Sequence, residues 1–538
     1  MHINPGGNEN NNSPIPNWTP ESSWHTVTKD QADESASAQN TLADLLGIAP
    51  GLSTAVIVPE LGIRITYDSL RQQVMAMAEV LAAAGIRRGD RIAMALPNGL
   101  PAIVSFLAAG IAGTAAPLNP SYPYEEFLFF LQDTNARVLL CPPTGHEEAR
   151  SAAADRGIPV FSVEMKSDGT VHLLDAPKGR PLNEPSPEDI ALILHTSGST
   201  GRPKRVPLRH SNLAISAANI ANFYKLSPED VALCIMPLFH IHGIVASTLA
   251  TLRSGGMVVA PTKFKPLAFW RTVREYRVTW YSGVPTMHQL LLARTRQEKP
   301  ADAASLRFIR SCSAPLTLEV IHKMEEVFRV PFVEAYGMTE AAHQMSANPL
   351  PPGRCKHGSV GLPTGIRISI VDCDGNHLPA NQRGEVVIQG PSVFQGYENN
   401  HEANGGSFMK GWFRTGDQGF LDEDNYLHLT GRIKDLIIRG GENVSPREVD
   451  EVLLKHPAVA EAVTFGCEHP TLGEEVAAAV VLHEPNSETE SALLKHCRER
   501  LAEYKCPKKI YLVENIPTTA TGKIRRRAVA AALLDEEG

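Results

Sequence analysis

The chain has 538 residues, 43% of them hydrophobic and 20% charged, with a formal net charge of −8. That length exceeds what one hydrophobic core serves, so more than one domain is expected, and the acidic balance argues against nucleic acid as the main partner. The longest apolar stretch, residues 102–116, is too short to cross a bilayer and reads as a buried helix ending before Pro117, so no membrane partner is expected either.

Residues 1–40 are rich in Asn, Pro, Ser and Gly and read as a disordered or loosely docked extension. The N-terminus carries no basic-then-apolar leader and the C-terminus no sorting tripeptide. The 8 cysteines form no CxxC pair and no His/Cys cluster at zinc spacing, which suits reduced thiols and a cytoplasmic location. Ser69 then reads as the cap of a helix over 70–84, with Leu70, Val74, Met77 and Leu81 on one face. A strand over 91–96, a helix over 100–113 and strands near 138–140 and 159–161 follow. That alternation predicts parallel sheets covered by helices.

A buried strand over 190–194 leads into Thr196-Ser197-Gly198-Ser199-Thr200-Gly201-Arg202-Pro203-Lys204. Hydroxyls, glycines and a lysine in one loop suit phosphate: the glycines free backbone N–H groups, the hydroxyls add donors and Lys204 adds charge. A Walker cradle is excluded, because Pro203 sits directly before the lysine and no Gly-Lys-Ser/Thr follows. Seen alone, the stretch also suits a plain surface loop.

Strands are predicted over 231–235, 258–260, 279–281, 308–310 and 333–335, the last running into Tyr336-Gly337-Met338-Thr339-Glu340. Between 358 and 430 short strands with glycine turns indicate an antiparallel subdomain, which carries Trp412-Phe413-Arg414-Thr415-Gly416-Asp417. A boundary falls at Gly431-Arg432-Ile433-Lys434-Asp435. The α+β unit beyond it opens with Ser445 as N-cap, Pro446 at the first helical position and Glu448 completing a capping box; Val449, Val452 and Leu453 share one face. Strands over 462–465, 476–482 and 509–513 and a helix over 491–502 follow. The tail, through Thr521-Gly522-Lys523, is a loop opening into a basic helix.

The order and identity of these five loop stretches resemble the adenylate-forming superfamily: acyl-CoA synthetases, luciferase-like enzymes and peptide-synthetase adenylation domains. The resemblance covers about residues 41–530. It implies an α/β fold: a large domain over 41–431 with two helix-covered mixed sheets and a small β subdomain, a hinge over 432–436, and a small mobile α+β domain over 437–538. It also implies ATP, Mg2+ and coenzyme A as cofactors. Thr196, Ser197, Gly198, Ser199, Thr200, Gly201 and Lys204 match the family's phosphate loop, and Tyr336, Gly337 and Thr339 its adenine-side motif. Glu340 is similar to the magnesium carboxylate, Asp417 to the ribose acceptor and Arg432 to its partner. Lys523 matches the lysine that bridges substrate carboxylate and α-phosphate. Lys434 matches the pivot, and Arg439, Gly440 and Gly441 the stretch that makes room for a pantetheine arm. Each has a bland reading too: Glu340 as a first-turn acid, Tyr336 as core, Asp417 as a turn residue, Lys523 as part of a solvated basic face, 439–441 as a hairpin turn. One departure is Arg205, where the family's loop usually has glycine; were φ positive there, arginine would be strained.

His240, Ser313 and His343 stand where the resemblance places the acyl group. Two histidines and a serine suit a second carboxylate better than an alkyl or aryl chain. Pro237-Leu238-Phe239-His240 with His242-Gly243, Phe308-Ile309-Arg310-Ser311-Cys312-Ser313, Met338-Thr339-Glu340-Ala341 with His343, and Asn348-Pro349-Leu350-Pro351 resemble the oxalate–CoA ligase branch. There the matching serine and two histidines bind the distal oxalate carboxylate, so His240, Ser313 and His343 are expected to grip a very small dicarboxylate, with His240 also a candidate catalytic residue. Activation of another small or aryl acid, loading of a carrier protein and a non-catalytic nucleotide-binding role stay open. Lys523 argues against the last, and His240 after Phe239, where amino-acid-adenylating enzymes have aspartate, against an amine substrate. The oligomeric state, monomer or homodimer, is not legible.

Overall fold

The computed structural model describes residues 40–196, 203–295, 303–517 and 526–535. Thr66 caps the first long helix: its Oγ1 accepts from the Ser69 N–H at 3.2 Å, so the helix is Tyr67–Ala83 and begins before the serine that the sequence suggests as cap. Leu70, Val74, Met77 and Leu81 form its buried face, as their spacing predicts. The apolar stretch 102–116 is two elements, not one. The helix Leu100–Ala112 stops at Gly113, and the strand Thr114–Pro117 follows. A Cβ on Gly113 would stand 2.7 Å from the Asp90 carbonyl, so only glycine makes this reversal.

Among the described residues two large sheets form the first part of the chain. In one, Thr54–Val58, Met257–Val259, Val231–Leu233, Trp280–Gly283, Phe308–Ser311 and Phe332–Met338 lie parallel, with antiparallel partners at both edges. In the other, Val160–Met165, Ala136–Cys141, Arg91–Met94, Thr114–Pro117 and Ile190–Thr196 are parallel, and Lys204–Arg209 closes the edge antiparallel. Val56, Ala232 and Val258 from the first sheet and Ile92, Ala115 and Leu192 from the second belong to one core, which includes the helix Leu100–Ala112. Burial on both faces is why these strands read as continuous apolar runs.

The antiparallel subdomain is as expected: Arg367–Val371, Gly384–Gln389, Trp412–Leu421 and Leu427–Arg432 pair in that order. Beyond Arg432, a last sheet pairs Val459–His469 with Gly473–Leu482 and adds Lys509–Leu512 parallel. The helix Pro446–Leu453 has Ser445 as N-cap and buries Val449, Val452 and Leu453. Its capping box is absent. The Ser445 hydroxyl donates to the Thr430 carbonyl, and Glu448 takes the Lys505 ammonium at 2.7 Å. Tertiary partners have outcompeted the local cap.

Candidate active site

Thr196 and Lys204 are partners across an antiparallel pair, so the two ends of the hydroxyl-rich loop are held together. Ser197, Gly198, Ser199, Thr200 and Gly201 lie outside the described residues. The Lys204 ammonium stands 4.4 Å from the Tyr397 ring centre, and the Tyr397 hydroxyl donates to Glu340 at 2.8 Å. Burial pulls the Lys204 ammonium below its usual range; the Lys434 charge adds to this and Glu340 opposes it. Lysine, tyrosine and glutamate thus form one cluster beside Lys434. Tyr397, beside Gly396 in the glycine-turn region 358–430, carries no signal in the sequence that marks it as a site residue.

Arg205 is not strained. It lies in the extended strand Lys204–Arg209, opposite His195, and is not among the residues with positive φ. Its guanidinium pairs with Glu398 at 3.2 Å and donates to the Asp133 carbonyl. The Glu398 N–H returns to the Arg205 carbonyl at 3.1 Å. Arginine at this position ties the segment carrying Tyr397 to the strand carrying Lys204. Arg205→Gly is expected to leave the fold intact and raise the KM for ATP several-fold; an unchanged KM counts against the tie.

A second cluster is built on the antiparallel subdomain. Asp417 faces Arg432 in strand register, and Arg432 Nε donates to its Oδ1 at 2.9 Å. The Tyr336 hydroxyl donates to Asp417 Oδ2. Burial, reinforced by Asp417, pushes the Tyr336 phenol well above its ordinary range, so it stays a donor. Asp417 is 5% exposed and held from two sides. It is a fixed acceptor rather than a loose turn residue.

Glu340 is equally buried, and Thr339 lies beside it in a short 3-10 turn between the strands Phe332–Met338 and His343–Ala347. These strands approach so closely that a Cβ on Gly337 would stand 2.1 Å from the His343 carbonyl. Glycine at 337 is therefore structural: it lets one hairpin carry both Glu340 and His343. A buried carboxylate that, among the described residues, accepts from a tyrosine hydroxyl fits a hard divalent cation.

The third cluster lies where the parallel strands end. His242 begins a π-helical turn, His242–Leu249, of the kind that often marks functional sites. Its Nδ1 is 3.2 Å from Ser313 Oγ, its Nε2 is 2.6 Å from Ser282 Oγ, and its ring stacks on His343 at 4.9 Å. Arg310, 0% exposed, reaches Ser282, His242, His343 and Gln344. Ser313 and His343 have φ of 78° and 101°, left-handed values that cost non-glycine residues energy and gather at functional sites. So Ser313 and His343 are brought together, but through His242. His240 lies two residues before the π-helical turn, and its Nδ1 accepts from the His242 N–H at 3.2 Å. His242 and Arg310 lie within the stretches that resemble the oxalate–CoA ligase branch, yet no pattern in the sequence marks them as site residues.

Gly440 and Gly441, with φ of 59° and 89°, close a tight hairpin between Ile437–Arg439 and Glu442–Val444. Arg439 pairs with Glu475 of the same sheet. The hairpin-turn reading holds for this conformation. Lys523 lies outside the described residues. Among the described residues His322, Glu325 and His357 also meet, with ligand atoms within 4.8 Å of one another. Their separation along the chain hides this cluster from a search by spacing.

A profile described as AMP-binding enzyme matches residues 50–398. The chain belongs to the AMP-binding enzyme family. A second profile, the AMP-binding enzyme C-terminal domain, matches residues 448–523 and so ends on Lys523. An oxalate–CoA ligase of Arabidopsis thaliana is 43% identical over 471 residues, covering 86% of this chain and 92% of its own. One of Saccharomyces cerevisiae is 41% identical over 515 residues, covering 89% and 94%. ATP-bound MatB from Rhodopseudomonas palustris superposes with a TM-score of 0.86 at 30% identity, over 93% of this chain and all of its own. As an AMP-binding enzyme the chain has the expected architecture, and the first profile ends at Glu398, the partner of Arg205. No helix among the described residues is long and apolar enough to cross a membrane.

Proposed function

We propose that this AMP-binding enzyme is an ATP-dependent acid–CoA ligase for a very small dicarboxylate, with oxalate as the best fit. The chain is an acid–thiol ligase of the AMP-forming type and uses ATP and coenzyme A. In the first half-reaction a carboxylate oxygen attacks the α-phosphorus of ATP, and pyrophosphate leaves with the electrons of the broken P–O bond. In the second, the coenzyme A thiolate attacks the acyl carbon and AMP leaves.

The three clusters divide this work. Lys204, with Thr196 and the loop through Gly201, holds the β- and γ-phosphates. Asp417 offers its remaining lone pairs to the ribose hydroxyls, steadied by Arg432, and the Tyr336 ring gives adenine a flat face beside Gly337 and Thr339. Glu340 would hold Mg2+, which when bound neutralises phosphate charge. Lys523 comes from the smaller domain, 437–538, which turns about Lys434 between the half-reactions. The turned state brings Arg439, Gly440 and Gly441 to the pantetheine arm. His240, Ser313 and His343 grip the small dicarboxylate.

The observation that carries the substrate assignment is the polar lining of the third cluster. An alkyl or aryl acid needs apolar walls, whereas here a serine, two stacked histidines and a buried guanidinium converge. Support comes also from the two oxalate–CoA ligases among the relatives. The test is pyrophosphate release with oxalate, malonate, acetate, benzoate and a medium-chain fatty acid, each with and without coenzyme A. Oxalate is expected to give the highest kcat/KM, with turnover requiring the thiol; turnover only with a carrier protein's pantetheine would favour the carrier-loading reading. Ser313→Ala is expected to raise the KM for oxalate roughly 10- to 150-fold, the cost of a charge-assisted hydrogen bond, with little change for ATP. Equal effects on both substrates would remove Ser313 from the acyl pocket.

A further inference from the structure

Arg310 is the largest polar side chain among the fully buried ones, and among the described residues no carboxylate pairs with it. A buried charge without a counter-charge is costly and persists where something else compensates it. Among the described residues its hydrogen bonds go to neutral groups. Nε and Nη2 reach Gln344 Oε1 at 3.2 and 2.9 Å, Nη1 reaches Ser282 Oγ at 2.8 Å and His242 Nε2 at 3.3 Å, and Nη2 reaches His343 Nε2 at 3.0 Å.

A guanidinium only donates. Both Nε2 atoms therefore accept, and each neutral ring carries its proton on Nδ1. For His242 the neutral form is secure: burial, with His343, Arg310, His240 and His288 around it, holds it well below the usual histidine range. Ser282 completes the pattern: it accepts from Arg310 and donates its own proton to the single lone pair of His242 Nε2 at 2.6 Å, and the 3.3 Å approach of Arg310 is the weaker branch of that shared contact. His242 Nδ1–H then donates to Ser313 Oγ. The Ser313 hydroxyl proton is thereby left to donate onward, and His343 Nδ1–H is a donor as well.

We propose that Arg310 is the positioning residue of the acyl pocket: it fixes His242 and His343 in the Nδ1–H form, turns Ser313 and His343 into donors, and supplies the positive charge that a second carboxylate on the substrate neutralises. Arg310 acts through these three side chains rather than by touching the reacting atoms. The inference deepens the dicarboxylate reading and rests on it. It explains why the network is built of groups that are each neutral except one, and why the strained backbone at Ser313 and His343 is held from inside the core.

The test is steady-state kinetics with oxalate, acetate and ATP on the full-length enzyme and on Arg310→Gln, His343→Asn and His343→Gln. Arg310→Gln is expected to raise the KM for oxalate roughly 10- to 150-fold, to leave the KM for ATP within about threefold, and to lower the oxalate-to-acetate ratio of kcat/KM by the same factor. The asparagine amide can stand near Nδ1 and the glutamine amide near Nε2. His343→Asn is thus expected to keep oxalate KM within about tenfold, and His343→Gln to lose as much as Arg310→Gln. An unchanged oxalate-to-acetate ratio in Arg310→Gln overturns the proposal while wild-type oxalate preference stands. If that variant does not fold, the order of the two His343 variants decides, and glutamine outperforming asparagine overturns it. Wild-type preference for acetate overturns the dicarboxylate reading itself, and Arg310's role with it.

Discussion

Lys523→Ala is expected to lower acyl-adenylate formation by about 10²- to 10³-fold while leaving thioester formation from preformed acyl-adenylate within a few-fold of wild type. The first half-reaction brings two anions together, a carboxylate and the α-phosphate, and one cation bridging both is worth most where their charges converge. The second has a neutral acyl carbon attacked by a thiolate and has no place for that bridge. The flanks of Lys523 show which part of the chain carries it. Ile516 and Val529 are buried in one cluster with Val463, Phe465, Ala477 and Ala479, and Arg526 donates to the Thr464 carbonyl at 2.8 Å and to Asp450. Both flanks of the segment are thus anchored on the unit beyond Arg432, so under the proposed motion Lys523 belongs to the moving part. Pyrophosphate release and single-turnover thioester formation are the two measurements. Unchanged pyrophosphate release in the variant would remove Lys523 from the reaction.

The sequence revealed most where chemistry is contiguous. Tyr336 to Glu340, Trp412 to Asp417 and Arg432 sit in short stretches whose order carries the family, and the structure joins Tyr336, Asp417 and Arg432 in one clamp. It revealed least where neighbours are chosen by strand order. Ser282, Arg310 and Gln344 lie on the strands Trp280–Gly283, Phe308–Ser311 and His343–Ala347, and only the sheet brings them to His242. A mid-strand arginine carries no periodicity signal that distinguishes a buried cation from a solvated one. The same holds for Arg205, whose partners Asp133 and Glu398 come from distant segments and whose backbone is extended, not left-handed. The missing capping box at Ser445 is the converse case: a correct local pattern whose groups found better partners in Thr430 and Lys505.

Lys434→Pro is expected to stall thioester formation by about 10²-fold or more while adenylate formation stays within about tenfold of wild type. Lys434 sits in the short 3-10 turn Ile433–Asp435, between the last strand of the β subdomain, Leu427–Arg432, and the first strand beyond it, Ile437–Arg439. One long backbone hydrogen bond, from Leu436 to Ile433 at 3.4 Å, closes the turn, and Arg527 reaches the Lys434 carbonyl at 3.5 Å. A short turn between the ends of two strands is where a hinge absorbs a change of backbone dihedrals. Proline fixes φ near −65° and restricts Ile433 before it, so the chain keeps one geometry and loses the other. The lysine charge also lies near Lys204, so its removal is expected to change ATP binding separately. Lys434→Ala measures that change alone, because it removes the ammonium and leaves the backbone free. The difference between the proline and alanine variants in the thioester half-reaction is therefore the hinge contribution. If the two variants form thioester at the same rate, the domain does not pivot at Lys434, and Arg439, Gly440 and Gly441 must reach the thiol by another motion.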